Sequence, residues 1–306
     1  MPRGRDILKP SNNDLPNRLD GLLAWAVRLL RQNKVDSPAL SARLLAAEAL
    51  SLEADKLIRR PDICFSKTQK DKFIKLAGLR AAGCPVAYLL GRKEFFGLEF
   101  QVGPEVLIPR PESEHLLEEA LRIFTPEDFF FFADLGSGSG ALAVALASCR
   151  PKALGVALDI SPKALKTALR NALKHHVAGR LVFAQADFSQ TPAVNAVFDL
   201  IISNPPYISE AEYPLLDREV RLYEPKTALV PFHADPIMAN TVDGLAAVRA
   251  LLPEAKRILK PSGLLLVEIG CDQRNQAVEA ALKAGFTAPR ILPDLAGRDR
   301  ILAAVA

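Results

Sequence analysis

Apolar residues recur at helical spacing in the first third of the chain; beyond about residue 110 they gather into short continuous runs. Leu19, Leu22, Leu23, Ala26, Leu29 and Leu30 trace one face of a helix. Ser37-Pro38 opens a second helix, carrying Leu40, Leu44, Leu45 and Leu52. Ser66 and Gln69 have the spacing of a capping box for a third, which Gly83 ends. Glu94 to Val102, with Gly97 in the middle, predicts a short hairpin. The run from Phe129 to Leu135 is too apolar to have a solvent face and reads as a buried parallel strand. An Ala/Leu-rich helix follows to about Cys149, then strands at Leu154–Leu158, Leu181–Gln185, Phe198–Ser203 and Leu264–Ile269. Phe286 to Ala306 reads as two final strands around Gly297-Arg298. The alternation predicts an α/β fold, a doubly wound parallel sheet behind a small helical domain. The expected divisions are a disordered tail over 1–17, a helical domain over 18–90, a hairpin linker over 91–109 and the α/β domain over 110–306.

Composition narrows the class without naming it. Hydrophobic residues make up 49% of the 306 and charged residues 24%, as in ordinary globular proteins. No apolar stretch approaches the ~18–20 residues needed to span a membrane, and the polar start at Met1–Asn17 does not read as a secretory signal. The four cysteines, Cys64, Cys84, Cys149 and Cys271, lack paired spacing and fit reduced thiols of a cytoplasmic protein; no metal site is expected. Net charge is +4, with residues 1–100 at +7 and the remainder at −3. Solvated helix faces account for the basic half; no basic block interleaved with aromatics points to direct nucleic-acid readout. A monomer is the default expectation.

Chemistry concentrates in two turns. The strand ending at Ser203 runs into Asn204-Pro205-Pro206-Tyr207. Neither proline has an N–H, so the turn offers carbonyl acceptors and the Asn204 amide with few competing donors. Such a cluster suits a planar –NH2 group, with the Tyr207 ring to lie against it. The second turn, Gly136-Ser137-Gly138-Ser139-Gly140, lets the backbone come close to a ligand at a helix N-terminus. Asp159, at the next strand tip, is placed to accept from ribose hydroxyls, and Ser161-Pro162 caps the following helix. The spacing is G-x-G-x-G and no Walker lysine follows, which favours a nucleoside without phosphates, S-adenosylmethionine, over a dinucleotide.

The flanking residues sharpen this. Gly83-Cys84-Pro85-Val86-Ala87-Tyr88-Leu89-Leu90-Gly91 with Glu94–Phe100, then Val106-Leu107-Ile108-Pro109-Arg110-Pro111-Glu112-Ser113-Glu114, resemble the HemK/PrmC family. Tyr223-Glu224-Pro225, Glu268-Ile269-Gly270 with Gln273, and Gly297–Arg300 follow in the family's order. The resemblance covers about residues 18 to 306. It implies a class I (Rossmann-like) methyltransferase sheet with one final strand antiparallel. It further implies S-adenosylmethionine as cofactor and, as substrate, the side-chain amide nitrogen of the glutamine in the GGQ motif of bacterial peptide chain release factors. Ser113 stands where the family usually has Thr, and the segment from Ala228 to Gly244 is longer than usual, read here as a surface insertion or a lid.

On that reading Asn204, Pro205 and Tyr207 are the catalytic candidates, and Pro206 joins them in binding substrate. Gly136, Ser137, Gly138, Ser139, Gly140 and Asp159 bind cofactor with Asn204. The resemblance adds Asp187 and Phe188 for the adenine. Arg110 and Glu112 shape the mouth of the site or form a helix-start salt bridge. Alternatives stay open: methylation of a ribosomal-protein glutamine or of adenine N6, a nicotinamide oxidoreductase, and a non-catalytic binding module.

Overall fold

A computed structural model describes residues 15–60, 62–231 and 244–306. The chain divides into two compact units, one reaching to Gly91 and including Asp217–Tyr223, the other made of Arg92–Leu216 and Glu224–Ala306. Residues 1–14 of the expected tail, and 232–243 of the long segment after Ala228, lie outside the described residues.

The first unit is helical: α1 (Leu19–Gln32), α2 (Pro38–Leu50), α3 (Ala54–Ile58), α4 (Lys67–Ala81) and α5 (Val86–Leu90). Leu19, Leu22, Ala26 and Leu30 of α1 are fully buried, as their spacing requires. Phe73 of α4 fills the centre, edge-on to Trp25 at 6.2 Å; losing such a ring costs about 3–5 kcal/mol. The Ser66–Gln69 capping box forms in both directions. In α2 the small residues Ala42, Ala46 and Ala49 carry the packing with Leu45, whereas Leu40 and Leu52, expected in the core, are exposed. The helix stops at Leu50 because Ser51 turns left-handed, which throws Leu52 outward. Leu15 and Asn17 are not loose tail: the Lys70 ammonium donates to both, at 2.5 and 2.9 Å.

The second unit begins with a hairpin, β1 (Arg92–Phe95) and β2 (Leu98–Gln101). Phe96 and Gly97 both have positive φ, the two-residue turn that matches strand twist. Phe95 and Phe100 are buried in the same core cluster as Leu116 and Phe132, so the hairpin is part of the second unit's core. After it come α6 (Glu114–Ile123), β3 (Phe131–Leu135), α7 (Ala141–Cys149), β4 (Leu154–Asp159), α8 (Pro162–Lys174), β5 (Leu181–Gln185) and β6 (Phe198–Ser203). The short helix α9 (Arg218–Tyr223) is the part of this stretch that belongs to the first unit. The unit closes with α10 (Ala246–Ile258), β7 (Leu259–Glu268), α11 (Arg274–Lys283), β8 (Thr287–Pro293) and β9 (Asp299–Val305).

The sheet order is β5-β4-β3-β6-β7-β9-β8. Strands β3 to β7 pair in parallel, and β9 runs antiparallel to both β7 and β8. Two expectations change in detail. The strand expected from Phe129 begins at Phe131; Phe129 is 62% exposed and packs edge-on against the Phe131 ring. β7 starts five residues earlier than Leu264, its first part offset by a register break opposite Phe198 and Leu200.

Order decides function here. The chain leaves β3 toward β4 and β5 on one side, then returns to place β6 on the other. The carboxyl ends of β3 and β6 therefore flank the point where the winding reverses, where open α/β sheets bind ligands. Asp134 pairs with Ile202, so the glycine turn and the Asn204 turn emerge from adjacent strands. The Ser203 hydroxyl, donating to the Leu135 carbonyl at 2.5 Å, ties those two ends together.

Candidate active site

At the glycine turn, Gly136, Gly138 and Gly140 all take positive φ, a region that side-chain-bearing residues rarely adopt. The Gly136 and Ser137 N–H groups both donate to the Leu158 carbonyl at 2.8 Å, pinning the turn to β4. A Cβ on Gly140 would lie 2.9 Å from that of Ala168, so its absence lets α7 start close against α8. Asp159 accepts from the Gly138 N–H and the Ser161 N–H, both at 2.8 Å, one on each oxygen. Burial pushes its carboxyl up, and those two hydrogen bonds only partly oppose the shift. Asp134 is fully buried beneath the turn. One of its oxygens accepts from Ala143 N–H at 3.1 Å and the other is unpartnered, as is the buried Ser137 hydroxyl. Burial pushes the Asp134 carboxyl up to about 7, helped by the nearby Asp159.

The Asn204 turn is braced by contrast on every side. The Asn204 side-chain N–H donates to the Ser113 hydroxyl oxygen at 2.8 Å. Ser113 donates its own proton to Glu268 at 2.6 Å, and the Tyr207 hydroxyl donates to the other Glu268 oxygen at 3.0 Å. Glu268, the last residue of β7, is 1% exposed. Burial pushes its carboxyl up, against the pull of both donors and of Arg300. Burial and the Glu268 charge push the Tyr207 phenol up as well. Gln273 donates to the Tyr207 carbonyl at 3.0 Å while its own oxygen accepts from Gly270 N–H at 2.8 Å. Among the described residues, no donor reaches the Asn204 side-chain oxygen or the Pro205 carbonyl. Arg110 pairs with Glu224 at 2.6 Å, and Glu224 also accepts from Ile108 N–H at 3.1 Å; the ion pair at the helix start is thus with Glu224 and not Glu112.

A cavity of about 670 Å³ joins the two turns. Of the residues singled out in the sequence, Arg110, Gly136, Ser137, Gly138, Ser139, Asp159, Asp187, Phe188, Asn204 and Pro206 line it, and Glu112 does not. Gly140, Pro205 and Tyr207 are not in its wall: Gly140 abuts Ala168, Pro205 is buried, and Tyr207 leans on Glu268. Asp187 accepts from both the N–H and the hydroxyl of Ser189, forming a turn that leaves Phe188 in the wall. Sequence reasoning missed Asp134 and gave Ser113 and Glu268 no role. The pairing of Ser113 with Glu268 is the part no local spacing signals.

These residues fit a nucleoside carrying a cationic amino-acid tail. A carboxylate at the tip of β4 suits a ribose diol, and the Phe188 ring offers a face for a base. The unpartnered Ser137 hydroxyl stands in the cavity wall, whereas the unpartnered Asp134 oxygen lies beneath the turn, outside that wall.

The chain is similar to known proteins along most of its length. Residues 21–91 match the PrmC N-terminal domain and residues 132–294 match a methyltransferase domain. The release factor glutamine methyltransferase of Nitratidesulfovibrio vulgaris is 43% identical, over 93% of this chain and 94% of that protein. Its counterpart in Moorella thermoacetica is 40% identical, over 91% of this chain and 95% of that protein. A methyltransferase structure from Pyrococcus furiosus matches 70% of this chain and 91% of its own at a TM-score of 0.49 and 18% identity. With two relatives at this identity over nearly their whole length, the chain belongs to the release factor glutamine methyltransferase family, whose cofactor is S-adenosylmethionine.

Proposed function

We propose that this enzyme methylates the side-chain amide nitrogen of the glutamine in the GGQ motif of peptide chain release factors. The observation that carries the reading is the pair of unengaged acceptors, the Asn204 side-chain oxygen and the Pro205 carbonyl, beside a cavity built for the cofactor. Two acceptors match the two N–H groups of a primary amide. The names of the relatives supply the protein that bears it.

When bound, S-adenosylmethionine supplies an electrophilic methyl group on a sulfonium. The residues do the rest. An amide nitrogen is a poor nucleophile because its lone pair is delocalised into the carbonyl. Asn204 and Pro205 accept its two hydrogens, hold it in one orientation and stabilise the positive charge that grows on it. Pro206 walls the site, and Tyr207, outside that wall, braces the turn through its hydroxyl on Glu268. Its phenol, pushed up by burial and held by Glu268, is not the base. The methylated nitrogen sheds one of its two protons afterwards, restoring a neutral amide. Gly136 to Gly140 and Asp159 hold the cofactor's amino-acid and ribose parts, and Asp187 and Phe188 its adenine.

Among the described residues no helix is long and apolar enough to cross a membrane. The four free cysteines and a translation factor as substrate fit a cytoplasmic monomer that engages protein and not nucleic acid. The test is methyl transfer from radiolabelled S-adenosylmethionine to a purified release factor, beside one whose GGQ glutamine is changed to alanine. Label on the first alone is expected. Label on both, or on neither despite cofactor binding, overturns the reading.

A further inference from the structure

The oxygen and nitrogen of an asparagine amide have nearly the same shape, so something other than fit must decide which faces the acceptor. In this site the decision comes from protons. Ser113 is 4% exposed and has one proton to give. An ionised carboxylate only accepts, so Ser113 spends that proton on Glu268, at 2.6 Å. Its oxygen is then left as an acceptor, and Asn204 must turn its NH2 group to it, at 2.8 Å. The Asn204 oxygen is thereby aimed away from Ser113. Tyr207 donates to the second Glu268 oxygen, so the same carboxylate also fixes the far end of the turn.

We propose that Glu268 is a positioning residue which, through Ser113, sets the direction of the Asn204 amide and so makes the site select an NH2 group over a carboxylate. The inference rests on the glutamine-methylating reading above. Glu268 lies outside the cavity wall and acts through the Ser113 hydroxyl, which lies in it. The device has a direction that reverses. A protonated Glu268 becomes a donor, Ser113 is freed to donate to Asn204, and the Asn204 NH2 group swings toward the acceptor. A site showing NH2 repels an amide N–H and welcomes a carboxylate. The groups that bear on Glu268 are Ser113 and Tyr207 as donors, the Arg300 guanidinium, which favours its charge, and the Glu112 carboxylate, which opposes it. Burial, the largest influence, raises the carboxyl, so the acid limb of the rate profile is shifted upward from that of an ordinary glutamate.

The experiment uses the full-length enzyme, the release factor as substrate, and the release factor with its GGQ glutamine changed to glutamate as competitive inhibitor. Ser113→Ala is expected to lower kcat about 10–100-fold, the effect of one or two buried hydrogen bonds. Cofactor affinity stays unchanged, the glutamate factor inhibits at least about threefold better than it does the parent enzyme, and the acid limb disappears. Ser113→Thr, which keeps the hydroxyl and folds without a cavity, restores kcat, the limb and the discrimination. A kcat for S113A within about twofold of the parent overturns the proposal, as does a lower kcat with an unchanged preference for glutamine over glutamate. Failure of S113T to restore the preference overturns it too. If the parent enzyme does not label the glutamine factor, the functional reading has failed first; if it does and S113A behaves like it, only the inference has.

Discussion

The two turns that frame the cavity sit on adjacent strands and handle their polar groups in opposite ways. Under the glycine turn, Asp134 and Ser137 each bury a polar atom without a partner, and burial raises the Asp134 and Asp159 carboxyls. Around Asn204 the side chains are cross-braced: Ser113, Glu268, Tyr207 and Gln273 form one connected set, with Glu268 engaged on both oxygens. Buried groups without partners cost free energy until a ligand supplies them. Around Asn204 the satisfied side chains hold the geometry of the two acceptors left unengaged, the Asn204 side-chain oxygen and the Pro205 carbonyl. On the proposed function, the glycine side takes the cofactor along Ser137 and Asp159 in the cavity wall, and the asparagine side is set beforehand, as positioning chemistry requires. On that reading, binding and orientation are divided between neighbouring strand ends.

Substitutions can break that division, the largest effect being expected at Asn204. Asn204→Ala removes one of two acceptors and should lower kcat by about a thousandfold or more, read in the label-transfer assay. Activity near the parent level would remove the turn from the mechanism. Gly244→Ala comes next. Gly244 has φ +68°, and a Cβ there would fall 2.1 Å from the Tyr207 carbonyl oxygen that Gln273 holds. The substitution should destabilise the enzyme by about 1–3 kcal/mol in urea unfolding and lower kcat with cofactor affinity kept.

A smaller effect sharpens the other side. A carboxyl whose folded pKa is raised favours the native state most below its unfolded value, and that contribution is lost as pH rises through the folded one. For Asp134, pushed up to about 7 from 3.8, the loss runs from about pH 4 to about pH 7. Asp134→Asn, without cofactor, should therefore match the parent in Tm near pH 4 and exceed it by several degrees at pH 8. An advantage that is the same at both pH values would contradict the strain assigned to the glycine side.

What the sequence reveals and what it hides follow from the range of the forces involved. The glycine turn, Asp159 at its strand tip, the Ser66 capping box and the Phe96-Gly97 hairpin turn are local, and each lies where its spacing predicts. The position of Asn204 beside the cavity follows from a strand that ends abruptly in prolines. Hidden were pairs that only tertiary structure makes: Ser113 with Glu268, 155 residues apart, and Asn204 with Ser113, 91 apart. Leu40, Leu52 and Phe129 mislead for a related reason, since an apolar side chain counts toward the core only when the backbone aims it there. Burial of Asp134 was equally invisible, because a carboxylate at a strand end looks the same whether covered or open.

The division of labour is tested most directly by titrating S-adenosylmethionine calorimetrically into the Asn204→Ala and Asp159→Ala enzymes. The account predicts a dissociation constant within about threefold of the parent for the first and about a hundredfold weaker for the second. Equal losses in both, or a larger loss at Asn204, would contradict it.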